Sequence, residues 1–351
     1  MSAPSYAVLD DALERLSPYG IDLANGNFNH APMVVEALCA LGRPDAVMPW
    51  IDGYYPRMTP RPTAGSPIAR TEWRAALGRR EQLTGWGELF TAELRKAPWR
   101  EVLDRWADRL APGFSAAAAH GVIRVGHAAR GLGESETRVR LRELADALAS
   151  WAASYGELPT APRADRGPRL TPCEALAALS IVPVAERRPG NITATLNRLV
   201  EFPAFAPAID LIDIDGDLDA LTAELSELLT RVYLANAVDI RTFIAFVHGV
   251  TGVHALGNIA PHVTEATARN LTRYAWQTGC ALYAAFSNGT AFADRVEPGE
   301  DDPATLVDLA IANGDEHAIK FTEACLSRHK IAPSPAYLAA ISHAIGIVER
   351  R

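Results

Sequence analysis

The residues of this chain best suited to chemistry are its histidines, nine in all, of which four segments carry the informative ones. Residues 120–132 read HGVIRVGHAARGL. On a helix, His120, Arg124 and His127 fall on one face, with His127 about 20° round from His120. The segment is otherwise apolar, so this polar stripe is expected to face inward. In VHGVTGVHAL (247–256), His248 and Thr251 share a face while His254 lies about 120° away, so only one of the two histidines can point at a given centre. In GDEHAIKFTEAC (314–325), His317 and Lys320 stand three apart and project side by side. Finally, NGNFNHAPMVVEALCALG (25–42) sets His30 at the start of an apolar helix, behind a polar Asn/Gly turn.

A buried imidazole must find partners, and a metal ion is one way to provide them. Imidazole ligation suits Fe, Zn, Cu or Ni rather than Mg or Ca. From the residues alone, a shared histidine-rich metal site and a set of separate structural hydrogen bonds both stay open. Other chemistries are excluded more simply. There is no dinucleotide or phosphate-binding glycine loop, no G-x-S-x-G, no H-E-x-x-H, and no Glu three residues ahead of any His. The four cysteines lie far apart with no C-x-x-C, as buried apolar side chains would. The acidic run from Asp213 to Asp219 lacks the glycine and glutamate positions of a calcium loop and reads as a turn capping the next helix.

Helices must position these side chains. Apolar residues recur three and four apart over 5–16, 31–41, 99–110, 137–152, 217–235 and 304–313, with start signals at Ser135-Glu-Thr, Thr171-Pro172 and Asp217. Short strand candidates are confined to 179–184 and 209–214. The expected fold is all-α, a single large multi-helix domain over 1–351 with long Pro/Gly-rich loops. Residues 52–72 form one such loop, a lid or a passive excursion, and 156–172 form an exposed connector. Thr242 to Val263 carries no Asp, Glu, Lys or Arg and is long enough to span a bilayer. Its three histidines and its glycines favour a helix buried in protein, and no membrane partner is expected.

Composition agrees with a globular protein: 351 residues, 48% hydrophobic and 22% charged, with a formal charge of −8. Acidic balance and scattered Lys and Arg argue against a nucleic-acid partner. No secretory signal is visible, so the expected compartment is the cytoplasm. Nothing in the residues indicates an oligomeric state.

The ordered set NHAPMVVEALCALG, PWREVLDRWADRLAPG, AAHGVIRVGHAARGL, FVHGVTGVHAL and DEHAIKFTEAC, from about residue 25 to 325, resembles the questin oxidase-like family. The resemblance implies an oxidoreductase that opens or oxygenates anthraquinones and related aromatic polyketides in natural-product pathways, as a dioxygenase or a Baeyer–Villiger-like monooxygenase. It also implies a non-haem Fe(II) centre, O2 as co-substrate, several histidine ligands and a lysine carboxylated by CO2. The matching positions are His30, His120, His248 and His317, with Lys320 as the modified lysine. Other divalent metals are compatible with such ligands. Fungal members tend to carry His where this chain has Arg124, and an aromatic residue where it has His127. Arg124 and His127 are therefore the candidate catalytic residues, supporting the ligands from behind or meeting a phenolate or carboxylate of the substrate. Two readings compete: a monooxygenase using NADPH as reductant, and a helical protein that binds an aromatic metabolite without turning it over.

Overall fold

Helices form where an apolar stripe can be buried. The computed structural model describes residues 3–63, 65–69, 71–161, 169–297 and 301–349. From the N-terminus run α1 (Leu9–Leu16), strand β1 (Tyr19–Leu23), α2 (Ala31–Ala40), α3 (Pro44–Tyr54), strand β2 (Met58–Pro60), the short α4 (Trp73–Ala76), α5 (Leu83–Leu94) and α6 (Trp99–Leu110). Then come α7 (His120–Glu134), α8 (Arg138–Ala153), α9 (Pro172–Ala177) and α10 (Ile192–Asn197). The chain continues through α11 (Leu218–Asn236), α12 (Ile240–Ile259), α13 (Glu265–Phe286), α14 (Pro303–Asn313), α15 (Glu316–Ile331) and α16 (Pro335–Glu349). The fold is all-α, one multi-helix domain around a continuous apolar core.

The stripes do what their spacing requires. α6 buries Trp99, Val102, Leu103, Trp106, Ala107 and Leu110, and α1 buries Leu9, Ala12, Leu13 and Leu16. Thr171 opens α9 with a reciprocal capping box to Glu174, and Asp217 caps α11 by accepting from the N–H groups of Asp219 and Ala220. The acidic run is thus a helix-starting turn.

α12 is long and apolar enough to cross a membrane by length and composition, yet it is enclosed by α7, α11, α13 and α15. From Phe243 to Leu256 it is almost wholly buried, which explains the lack of charge after Arg241. Its closest neighbour is α7, where a Cβ on Gly126 would fall 2.7 Å from the Ala255 side chain, so only glycine permits this approach. α2 and α15 pack on each other, and each also touches one or both members of this pair.

Three expectations need correction. Strand structure lies elsewhere: β1 and β2 pair antiparallel with Tyr19 opposite Pro60 and Leu23 opposite Met58. The segment 179–184 is irregular before a 3-10 turn, and of 209–214 only Ile212 makes an isolated bridge, to Leu170. Strand propensity gave the wrong places because β1 is held by a partner almost forty residues away, which local pattern cannot register. The 52–72 loop is partly regular, since α3 runs to Tyr54, a 3-10 turn spans Tyr55–Arg57, and β2 follows. Its residues 64 and 70 lie outside the described residues, as do 162–168 of the expected connector.

Candidate metal centre

Four helix segments deliver the site. His30 immediately precedes α2 and donates its backbone N–H to the Tyr54 hydroxyl at 3.2 Å. His120 opens α7 directly after Ala117, Ala118 and Ala119, which carry left-handed φ values of 49°, 58° and 64°. His248 lies on the enclosed α12, and His317 sits in the first turn of α15, its backbone N–H held 2.8 Å from the Asp315 carboxylate. Lys320 follows one turn later. All five side chains are buried.

The imidazoles converge. One nitrogen each from His30, His120 and His317 lie within 4.8 Å of one another. His120 Nε2 is 2.7 Å from His30 Nε2 and 3.1 Å from His248 Nε2, and the His248 and His317 ring centroids are 5.7 Å apart. Tautomers decide what these contacts mean. His120 Nδ1 meets the Ala117 carbonyl, and His248 Nδ1 lies 2.5 Å from the Ile244 carbonyl. A carbonyl only accepts, so both Nδ1 atoms carry the proton and both Nε2 atoms present lone pairs. Two lone pairs 3.1 Å apart do not hydrogen-bond, and a cation between them would satisfy both. A proton is a poor candidate, because burial and then the Lys320 charge push His30 and His120 far below the ordinary imidazole range, and burial with the neighbouring histidines does the same to His248. A metal ion fits: with bonds of about 2.1 Å, ligand nitrogens at right angles stand roughly 3 Å apart.

Neighbouring groups tune this centre. The Phe28 ring stacks on His120 at 4.7 Å and covers it with apolar surface. Asp315 Oδ1 stands 3.3 Å from His317 Nδ1, close enough for its charge to act but not aligned as a hydrogen bond. Burial would raise the Asp315 carboxyl, but contacts with His317 and backbone N–H groups outweigh it and hold it at about 2. Lys320 Nζ lies 3.9 Å from Met33 Sδ, with no ion pair to it among the described residues, and burial lowers its ammonium to about 8.

The questin oxidase-like family matches residues 28–325, a span that contains every one of these side chains. The chain belongs to the questin oxidase-like family. A comparison with curated proteins finds no match. The family's name points to an oxidoreductase.

In this questin oxidase-like protein, Arg124 and His127 are buried on the inward side of α7 as their spacing required, but their polar ends go elsewhere. Arg124 grips Glu143 of α8 through two hydrogen bonds of 2.6 and 2.8 Å. His127 Nδ1 lies 2.5 Å from Glu36 of α2. His254 turns away from the centre, as its angular offset from His248 demands, and meets Glu323 at 3.0 Å. His262 packs on Trp99, His329 on the Ser334 carbonyl and His343 on the Tyr233 hydroxyl, so these three sit in structural settings.

Sequence reasoning passed over Glu36, Arg130 and Glu323. Arg130 bridges both carboxylates, with hydrogen bonds of 2.6 and 2.7 Å to Glu36 and 2.5 Å to Glu323. Burial opposes ionisation of Glu36, but Arg130 and His127 overcome it and hold its carboxyl at about 2. This second polar layer draws on α2, α7, α12 and α15, the helices that carry the histidines. The legible signal was a lone carboxylate six residues after His30 and another six after His317, each in an otherwise apolar stretch.

Proposed function

We propose that this protein is an Fe(II)- and O2-dependent oxygenase of a polycyclic aromatic, anthraquinone-like substrate, with His30, His120, His248 and His317 holding the metal and a carboxylated Lys320 completing its ligands. The observation that carries the reading is the His120–His248 contact, in which both facing nitrogens have their lone pairs turned inward. The family membership supports the reaction class. Bound there, Fe(II) would supply electron transfer to O2 beside an electron-rich ring.

The chain's own residues account for the rest. Neutral imidazoles leave a dication uncompensated in an apolar interior, an arrangement that is expensive without an anion. Lys320 answers this when its free amine attacks CO2: the new N–C bond forms, a proton leaves the nitrogen, and a repelling cation becomes an anionic oxygen donor. A buried ammonium lowered to about 8 leaves the amine reactive near neutral pH. The Ala117 and Ile244 carbonyls fix the ring orientations, and Phe28 excludes water from one side.

Metal analysis of the purified protein, beside Lys320→Ala and His120→Ala, tests this directly. Stoichiometric iron and O2 uptake with an aromatic polyketide substrate are expected for the unaltered chain, with both variants losing metal. Substrate turnover by a metal-free preparation would sink the reading.

A further inference from the structure

A cleft of about 410 Å³ is bounded by β1, the residues just after β2, α5 and α8, and buried Arg124 of α7 contributes to its lining. That volume is in the range of small-molecule sites. Its α5 wall is a stripe of small residues, Thr84, Gly87 and Thr91, three and four apart on one helix face, opposite Ala149 of α8. A Cβ on Gly87 would meet nothing within 4 Å, so this wall is flat and open towards the cleft. Flat walls of small side chains accommodate a flat body.

In a chain of formal charge −8, four arginines line the cleft, Arg61, Arg95, Arg124 and Arg142, against two carboxylates, Glu88 and Asp146. Two of the cations are neutralised at close range: Arg61 by Asp146 through bonds of 2.7 and 2.5 Å, and Arg124 by Glu143. Arg142 shares its charge with an exposed Glu14 at 2.6 Å, and Arg95 makes no ion pair among the described residues. Of the cleft's four arginines, only Arg95 is therefore without an ion pair among the described residues, and Glu88, two helical turns before it on α5, is the lining carboxylate without one. A narrow cavity adjoins the cleft, sharing Arg61, Arg124, Arg142 and Asp146 with it and lined also by Asn29 and Pro32. Asn29 precedes His30 and donates to the Gly20 carbonyl of β1 at 2.9 Å, while Arg124 is one turn beyond His120.

We propose that this cleft is the substrate-binding site and that it selects a planar polycyclic ring bearing a carboxylate. The rings lie along Thr84, Gly87 and Thr91, the carboxylate meets Arg95 at the exposed end of α5, and the far ring edge faces Arg124 and Asn29. This rests on the oxygenase reading for the identity of the ligand as substrate, but not for its binding. His127, whose ring meets Glu36 and which does not line the cleft, takes no part in it.

The test is binding of anthraquinone-2-carboxylate and its methyl ester to the full chain, followed by tryptophan fluorescence, with metal content measured on the same samples. The carboxylate is expected to bind about tenfold more tightly than the ester. Arg95→Glu should erase that preference and leave ester affinity unchanged. Gly87→Phe should fill the cleft and weaken both probes by at least about tenfold, whereas Gly87→Ala should leave both bound. A folded Gly87→Phe protein that binds both probes as the unaltered chain does would overturn the site; equal affinity for acid and ester would overturn the selectivity. Should Gly87→Phe fail to fold, Arg95→Glu on the exposed rim decides. Probe binding that follows Gly87 and Arg95 in protein that takes up no iron even when supplied with it would uphold this inference and refute the oxygenase reading. Iron retained alongside probe binding indifferent to Gly87→Phe would do the reverse.

Discussion

At the scale of single residues, the three alanines before His120 are the costliest local feature. A left-handed conformation costs an L-residue about 1–2 kcal/mol, and here three stand in succession. The turn aims the Ala117 carbonyl at His120 Nδ1 and so fixes the tautomer that turns Nε2 to its neighbours. Ala118→Gly should relieve the strain, offset in part by greater freedom in the unfolded chain, for a net gain of about 0.5–1 kcal/mol. Chemical denaturation measures it, and a loss of comparable size would show that the turn is not left-handed. None of this was legible beforehand, because a run of alanines reads as helix on propensity. The residues alone showed that several imidazoles lie in apolar helical stretches and need partners, while the set His30, His120, His248 and His317 came from the family resemblance.

At the scale of elements, α2, α7, α12 and α15 are joined twice, once by the histidines and again by the layer centred on Arg130. Removing the shared cation leaves Glu36 and Glu323 buried without compensation, and their carboxyls are held ionised largely by it. Arg130→Met should therefore cost about 3–5 kcal/mol of folding stability. Combining it with Glu36→Gln and Glu323→Gln should recover much of that loss, because the desolvated charges go together. Denaturant midpoints of the single and triple variants check this; a triple variant no more stable than the single would refute the account. Helix positions were largely legible from apolar spacing and caps, as α6, α11 and α14 illustrate. The β1–β2 pair was not, because its strands, distant in the chain, owe their conformation to each other.

At the scale of the whole molecule, the buried titratable groups set how stability follows pH. His30, His120 and His248 all bind protons less readily folded than at their ordinary value of 6.5. The unfolded chain therefore takes up more protons as pH falls through that value. The stability from keeping these rings neutral is complete above about pH 6.5 and is lost below it, by on the order of 1 kcal/mol per pH unit for each ring. Glu36 and Asp315, held at about 2, add stability that is present above the usual carboxylate range and lost as pH falls from there towards 2. Chelator-stripped protein should accordingly lose thermal stability steadily from pH 7 to pH 4. A melting temperature that is flat or rises over that interval would contradict the buried, neutral state of the histidines.

The amino-acid order by itself determined that this chain is helical, that one long stretch without charged residues lies inside it, and that histidines from distant segments sit on apolar faces. These are consequences of local periodicity and of the cost of burying polar groups, which every stretch carries with it. Tertiary structure decided which groups meet. Arg124 and His127 share a helix face with His120, yet each reaches a carboxylate on a different helix, Glu143 or Glu36. Pairing of this kind is set by the distance between helix axes and by close contacts such as Gly126 against Ala255, which depend on the packing of both elements at once.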